Sequence, residues 1–235
     1  MLLELQGVSL RFGAVVAADA IDLSVAAGEA VGIIGANGAG KSSLFNLIAG
    51  VLRPDSGAIR LKGRDVTKVP ARLRCAAGIG RSFQIPRPFA GLTTFENLLA
   101  AASSARGERG VTAMCGAILE RTGLIAKANV PAGRLTLLER KRLELARALA
   151  TRPEILLLDE IAGGLTEAEC RVLIDLIKSL AAERITILWV EHIVHALMSV
   201  ASRLIVLEFG RKIADGEPRA VMDDPNVRRS YLGIG

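Results

Sequence analysis

The segment Gly35-Ala36-Asn37-Gly38-Ala39-Gly40-Lys41-Ser42-Ser43 sets the architecture predicted for this chain. An apolar run, Ala30-Val31-Gly32-Ile33-Ile34, precedes it, and Leu44-Phe45-Asn46-Leu47-Ile48-Ala49-Gly50 follows with a helical pattern. Strand, glycine-rich loop and helix are the context a phosphate-binding loop needs, and G-x-x-x-x-G-K-S runs from Gly35 to Ser42. The glycines permit backbone angles closed to other residues and let main-chain N–H groups approach an anion. The unpaired amides and dipole at the new helix start favour negative charge there. Lys41 is predicted to reach the β/γ-phosphates and the Ser42 hydroxyl to coordinate Mg²⁺. The pattern predicts binding of a nucleoside triphosphate.

At 235 residues the chain is long enough for one large α/β domain or a core carrying a subdomain. Apolar residues make up 51%, which excludes a disordered chain and suits a parallel sheet buried on both faces. No uncharged apolar run reaches the roughly 18 residues of a transmembrane helix. Met1-Leu2-Leu3-Glu4 lacks the basic region and cleavage site of a signal peptide. The three cysteines, Cys75, Cys115 and Cys170, are scattered and unpaired in pattern, which points to a reducing compartment and to small buried hydrophobes. Net charge is +6, with basic clusters at Lys62–Arg74, Arg134–Arg147 and Arg228–Arg229. Aromatic residues are only 3%, too few to stack single-stranded nucleic acid, so the charge reads as a solvated surface biased towards a membrane.

Outward from the loop, Leu2–Phe12 and Ala20–Val25 alternate as an antiparallel sheet edge. Phe12 is the one aromatic there, suited either to stack on an adenine ring or to fill the core. The helix after the loop is expected to end near Arg53-Pro54-Asp55-Ser56-Gly57, with Ala58–Gly63 an edge strand. Arg72–Ala77 reads as a short basic helix and Gly78–Gln84 as a strand ending in Gln84. From Pro88 to Ala150 the pattern is helical: Asn97–Ser104 opened by the capping box Thr93-Thr94-Phe95-Glu96, a mobile connection at Gly107-Glu108-Arg109-Gly110, Val111–Thr122, and a helix opened by Thr136-Leu137-Leu138-Glu139. The predicted division is therefore a nucleotide-binding core with its β subdomain in residues 1–87 and 151–235, and an inserted helical subdomain in 88–150.

Ile155-Leu156-Leu157-Leu158-Asp159-Glu160 describes a buried parallel strand with carboxylates at its C-terminal end, where α/β sheets hold ligands. Asp159 is predicted to hold Mg²⁺ and Glu160 to orient or deprotonate the attacking water. Thr166–Leu180 is an amphipathic helix, and Arg184–Val190 the next core strand, ending in Glu191-His192. That position favours a γ-phosphate contact for His192, whereas His195 is read as structural. Arg203–Ala214 reads as a hairpin turning at Gly210.

Taken in order, Phe12, the phosphate loop, Gln84, a helix start at Leu135, Asp159-Glu160 and His192 resemble an ABC-transporter nucleotide-binding subunit over essentially the whole chain. The chain is most similar to the ATPase subunits of branched-chain amino-acid importers. Arg81-Ser82-Phe83-Gln84, Leu92–Leu98, Val190-Glu191-His192, Gly210–Gly216 and Tyr231-Leu232-Gly233 carry that closer likeness. The resemblance implies an α/β, RecA-like phosphate-loop NTPase core with an N-terminal antiparallel β subdomain and an inserted helical subdomain. It also implies that Phe12 stacks on adenine, that Gln84 touches Mg²⁺ or the water and senses a membrane partner, and that His192 reads the γ-phosphate. Two cassettes would sandwich two ATP molecules, each lending its signature helix to the other's phosphate loop. Transmembrane permease subunits would be driven from the cytoplasmic face of the inner membrane, with the chain peripheral to it.

The chain departs from that pattern at the signature. The family usually has Leu-Ser-Gly-Gly-Gln, and here Leu135-Thr136-Leu137-Leu138-Glu139 stands in its place, without either glycine. Ile161 replaces the usual proline after Glu160, and Thr166 the usual Asp or Asn. Either these changes weaken the site this chain completes in a partner, with Leu138 the obstacle and Glu139 adding negative charge, or the backbone amides tolerate leucine. Alternatives with the same layout are a low-turnover regulatory cassette and an ATPase serving another cargo, such as a lipid. A soluble nucleic-acid or ribosome ATPase of this family would need two cassettes or a coiled-coil insert.

Overall fold

A computed structural model describes residues 1–103 and 110–229, with the backbone continuing to 232. Strands β1 (Leu3–Phe12) and β2 (Val15–Val25) form a hairpin, and β3 (Ala30–Ile34) feeds the glycine-rich loop and helix α1 (Lys41–Ala49). Next come β4 (Ser56–Leu61), β5 (Arg64–Asp65), α2 (Ala71–Ala76) and β6 (Ile79–Arg81). Helices α3 (Thr94–Ala102), α4 (Val111–Arg121) and α5 (Leu137–Ala150) follow. The chain then resumes alternation with β7 (Ile155–Asp159), α6 (Glu167–Ala182), β8 (Thr186–Val190) and α7 (Val194–Met198). It closes with β9 (Arg203–Glu208), β10 (Arg211–Gly216), α8 (Pro218–Asp223) and α9 (Pro225–Leu232).

One sheet is antiparallel in the order β2-β1-β4-β5, and the other runs β10-β9-β3-β8-β7-β6, parallel except for β10. Period-two alternation feeds two cores. Leu156 and Leu158 of β7 join the core under α4, α5 and α6, while Ile155 and Leu157 join the one beneath α1 and the antiparallel sheet. Each such fully buried leucine contributes about 1.5–3 kcal/mol of transfer free energy. The β9–β10 hairpin turns at Phe209 (φ 45°) and Gly210 (φ 79°), the positive-φ pair that suits the right-handed strand twist.

Several boundaries differ from the sequence expectation. Helix α1 stops at Ala49, because Gly50 turns left-handed at φ 78° and its N–H closes the last turn, so the helix does not reach Arg53. Strand β6 ends at Arg81, leaving Gln84 in the bend beyond it. Helix α3 starts at Thr94, since both halves of the capping box between Thr93 and Glu96 form there. Arg74, expected on a basic surface, is buried. Its guanidinium donates to the carbonyls of Leu47, Ile48, Thr67 and Val69, taking up the open C-terminal end of α1. Burial lowers its pKa to about 10. Cys115 and Cys170 are buried, and burial raises both thiols. Ser104, Gly107–Arg109 of the expected connection and Gly233 of the terminal motif lie outside the described residues. No helix among the described residues is long and apolar enough to cross a membrane.

Candidate functional site

The loop between β3 and α1 curls around its own lysine. Lys41 is buried and its Nζ donates to the carbonyls of Gly35 (2.7 Å) and Ala36 (3.0 Å). Two glycines are demanded by close backbone approach. A Cβ at Gly35 would lie 2.3 Å from the Leu207 carbonyl oxygen, and one at Gly40 (φ 101°) 2.3 Å from that of Ala17. Ala39 is buried beneath the loop, while Asn37, Gly38 and Ser42 are exposed and Ser43 is half-buried. Burial lowers the Lys41 pKa, and the charges of Glu160 and Asp159 oppose that fall. Both carboxylates therefore act electrostatically on the lysine of the loop.

Glu160 follows the last residue of β7 with φ 45°, a left-handed angle unfavourable for a side chain of its size. Its N–H donates to the Val190 carbonyl at 2.9 Å, which ties the bend to the end of β8. The Gln84 amide Nε2 donates to one Glu160 oxygen at 2.6 Å, and His192 Nε2 lies 2.7 Å from the other. Three residues far apart in sequence thus meet on one carboxylate. His195 is exposed on α7, its carbonyl accepting from Ser199.

Asp159 is buried at the end of β7 and paired with Arg81 Nη2 at 2.7 Å. Ser42, Asp159 and Gln84 supply hydroxyl, carboxylate and amide oxygens, a hard donor set of the kind Mg²⁺ takes when phosphates complete its shell. Gln84 Nε2 is committed to Glu160, which leaves its amide oxygen as the remaining donor. Phe12 is 51% exposed at the end of β1, paired across the hairpin with Val15. That exposure removes the core-filling alternative for it.

At the start of α5, Leu135 is buried and Thr136 is the N-cap, its hydroxyl accepting from the Glu139 N–H at 3.3 Å. A Glu139 oxygen accepts the Thr136 N–H at 2.8 Å, and the other lies 3.4 Å from Lys127 Nζ. The Thr136 N–H, with Lys127, holds the Glu139 carboxyl below its usual range. Leu138, expected to put a side chain where glycine would let the backbone meet a partner's γ-phosphate, packs partly buried against the helical core; the exposed leucine is Leu137, which faces Gly164. The helical turn, about 100° per residue, separates the two fates.

Residues that sequence reasoning passed over also shape the site. Lys141 Nζ donates to the Gln84 carbonyl at 2.6 Å. The buried Glu191 carboxylate accepts the N–H groups of Ala162 (2.9 Å) and His192 (3.0 Å). Burial raises the Glu191 pKa, opposed by those two N–H groups. The sequence marked Arg81 and Glu191 only as members of the stretches that carry the family likeness, and Lys141 only as part of a basic cluster, with no role for any of the three.

A family model described as ABC transporter matches residues 18–163. The chain belongs to the ABC transporter family. As a member, it is an ATP-hydrolysing cassette subunit with an α/β phosphate-loop fold. A second model, branched-chain amino acid ATP-binding cassette transporter, matches residues 211–235. The high-affinity branched-chain amino acid transport ATP-binding protein BraF of Pseudomonas aeruginosa is 36% identical over 99% of this chain and 98% of its own. Among solved structures, an ATP-binding cassette of an ABC transporter in its ADP conformation superposes with a TM-score of 0.89 at 30% identity, over 99% of both chains. A dimeric cassette in a post-hydrolysis state, bound to ADP and Pi, gives a TM-score of 0.79 at 26% identity over 92% of this chain and 99% of its own. Within an ABC cassette, the loop at Gly35–Ser43 and the carboxylates after β7 lie at one edge of the sheet, beyond the C-terminal ends of β3 and β7.

Proposed function

We propose that this chain is the ATPase subunit of an importer for branched-chain or closely related amino acids. The observation that carries the chemistry is Glu160 held between Gln84 and His192 at 2.6 and 2.7 Å. The reading places ATP phosphates against the amides of Gly38–Ser43, with Lys41 released from the loop carbonyls to meet them. Phe12 offers its exposed ring to adenine. Glu160 takes the proton of the attacking water, His192 contacts the γ-phosphate, and Gln84 orients the water. Ser42, Asp159 and the Gln84 amide oxygen would hold Mg²⁺, which when bound neutralises charge on the phosphates. The cargo rests on the similarity to BraF and on the C-terminal family match.

The partners in this reading are a permease and a second cassette, with the chain peripheral on the cytoplasmic face of the membrane and no nucleic acid involved. A groove of about 280 Å³ beside Gln84, lined by Val51, Cys75, Phe83, Ala101 and Arg147, is the permease-facing surface. The division into a core (1–87 and 151–235) and a helical subdomain (88–150) lets the helical part move with that groove. Reconstitution with its permease in vesicles tests the reading. ATP-dependent uptake of labelled leucine, isoleucine or valine, abolished by Lys41→Ala, is expected. Robust ATPase with no amino-acid uptake would reject the cargo.

A second reading concerns pairing, and the self-capped start of α5 favours it. Glu139 already occupies the Thr136 amide, and Leu137 is exposed at the helix start. The site completed by this helix is then weak, and the working partner is a paralogous cassette with an open signature. Light scattering of Glu160→Gln protein with ATP should show a monomer that binds nucleotide; an ATP-dependent homodimer would reject this. Leu137→Gly should promote the homodimer more than Leu138→Gly.

A further inference from the structure

We infer that Arg81 is a positioning residue for Asp159, holding one oxygen of that carboxylate so that the other is presented to the metal. The inference rests on the reading that Asp159 faces Mg²⁺. Arg81 ends β6 and pairs in register with Leu157 of β7, two residues before Asp159. Period-two alternation puts the Arg81 and Asp159 side chains on one face of neighbouring strands. Nη2 donates to Asp159 Oδ2 at 2.7 Å, and Nη1 donates to Asn46 Oδ1 at 2.6 Å on α1. The fork therefore bridges the strand that carries Asp159 and the helix that carries Lys41 and Ser42.

The guanidinium is clamped as well as bonded. Its carbon lies 5.0 Å from the Phe83 ring centroid and 5.8 Å from that of Phe45, and the pair is about nine-tenths buried, with side-chain exposures of 10% and 9%. A buried ion pair is seldom a net gain in stability over apolar packing, so its place against a metal-facing carboxylate asks for another role. The planar fork presents one nitrogen to Oδ2 and the other to Asn46 in a fixed geometry, which the compact point charge of a lysine does not reproduce. The Arg81 Nε is buried with no hydrogen-bond partner among the described residues, so all its bonding goes through the two terminal nitrogens. Groups of this kind, behind a metal ligand, fix the ligand's orientation, and their loss weakens metal affinity by about 10–100-fold.

The test reads metal affinity without turnover. Mg²⁺ binding is read by isothermal titration calorimetry, which needs no probe in the site. Protein loaded with a non-hydrolysable ATP analogue is titrated with Mg²⁺ for the natural chain, Arg81→Ala, Arg81→Lys and Asp159→Asn. Arg81→Ala is expected to raise the Mg²⁺ half-saturation about tenfold or more, with Arg81→Lys intermediate and ATP affinity without Mg²⁺ unchanged. Because alanine leaves Asp159 buried and unpaired, the lysine variant decides the matter if Arg81→Ala fails to fold. Natural or tighter Mg²⁺ affinity in the folded Arg81 variants, while Asp159→Asn has lost it, overturns the positioning role alone. Natural affinity in Asp159→Asn overturns the reading of Asp159, and the inference with it. A fall in ATP affinity without Mg²⁺ as large as the fall with it would make Arg81 merely structural and also overturn it.

Discussion

Two polar clusters in this cassette use similar groups and end in opposite states. At the end of β7, Glu160 sits at a strained φ of 45° with its carboxylate turned towards Gln84 and His192. At the start of α5, Thr136 and Glu139 adopt unstrained capping angles, and their polar groups satisfy one another and Lys127. Strain at the first cluster, of order 1–3 kcal/mol, keeps a carboxylate where chemistry needs it. In the second cluster the N–H groups and side chains of Thr136 and Glu139 pair with one another, which stabilises the helix start. The difference teaches that a self-capped helix start and an open one are separated by which side chain reaches the amides first.

The comparison can be broken most severely at Glu160. Glu160→Gln keeps the size of the side chain but cannot take a proton, so steady-state ATPase should fall by about 10²–10⁴-fold while nucleotide binding persists. Hydrolysis at natural rates would remove Glu160 from the chemistry. A smaller effect is expected at α5. Thr136→Ala removes the N-cap and should lower unfolding stability by about 1 kcal/mol, read as a shift in the urea midpoint. Nucleotide affinity of the isolated chain should stay as it is. A drop in that affinity would mean that the start of α5 serves this chain's own phosphate loop.

An effect seen only as a pH dependence concerns Glu191, whose buried carboxylate holds the two loops that carry Glu160 and His192 together. Its folded-state pKa is raised above the ordinary 4.5, chiefly by burial. Between the ordinary and the raised value the folded chain binds more protons than the unfolded one, so stability falls as pH rises through that window. The contribution is fully present below the ordinary value and lost above the raised one. Glu191→Gln should lack this slope, which for one proton cannot exceed about 1.4 kcal/mol per pH unit. Identical slopes in chemical denaturation across acid pH would show that Glu191 ionises as freely folded as unfolded.

Much of the site was legible because its signals are local. Gly35–Ser42 needs only neighbouring residues to form a loop, and four apolar residues before Asp159-Glu160 mark a buried strand with acids at its ligand end. The capping boxes at Thr93 and Thr136 were readable for the same reason, each closing within four residues. The end of α1 was misplaced because Gly50 competed with the louder Pro54-Asp55-Ser56-Gly57 turn. Arg74 was read as surface because nothing local shows that four carbonyls from two segments converge on it.

The sequence by itself determined the strand–loop–helix that receives a triphosphate, the acidic end of β7, and the helical block between β6 and β7. Each follows from spacing along one segment and from burial patterns with a fixed period. Only the tertiary structure decided that Gln84, Glu160 and His192 meet on one carboxylate, and that Arg81 spans Asp159 and Asn46. It also decided that Leu138 faces inward while Leu137 faces out. Those outcomes depend on which strands lie side by side and on where a helix is rotated against the core, and side-chain bonds formed across such packing have no counterpart in residue spacing.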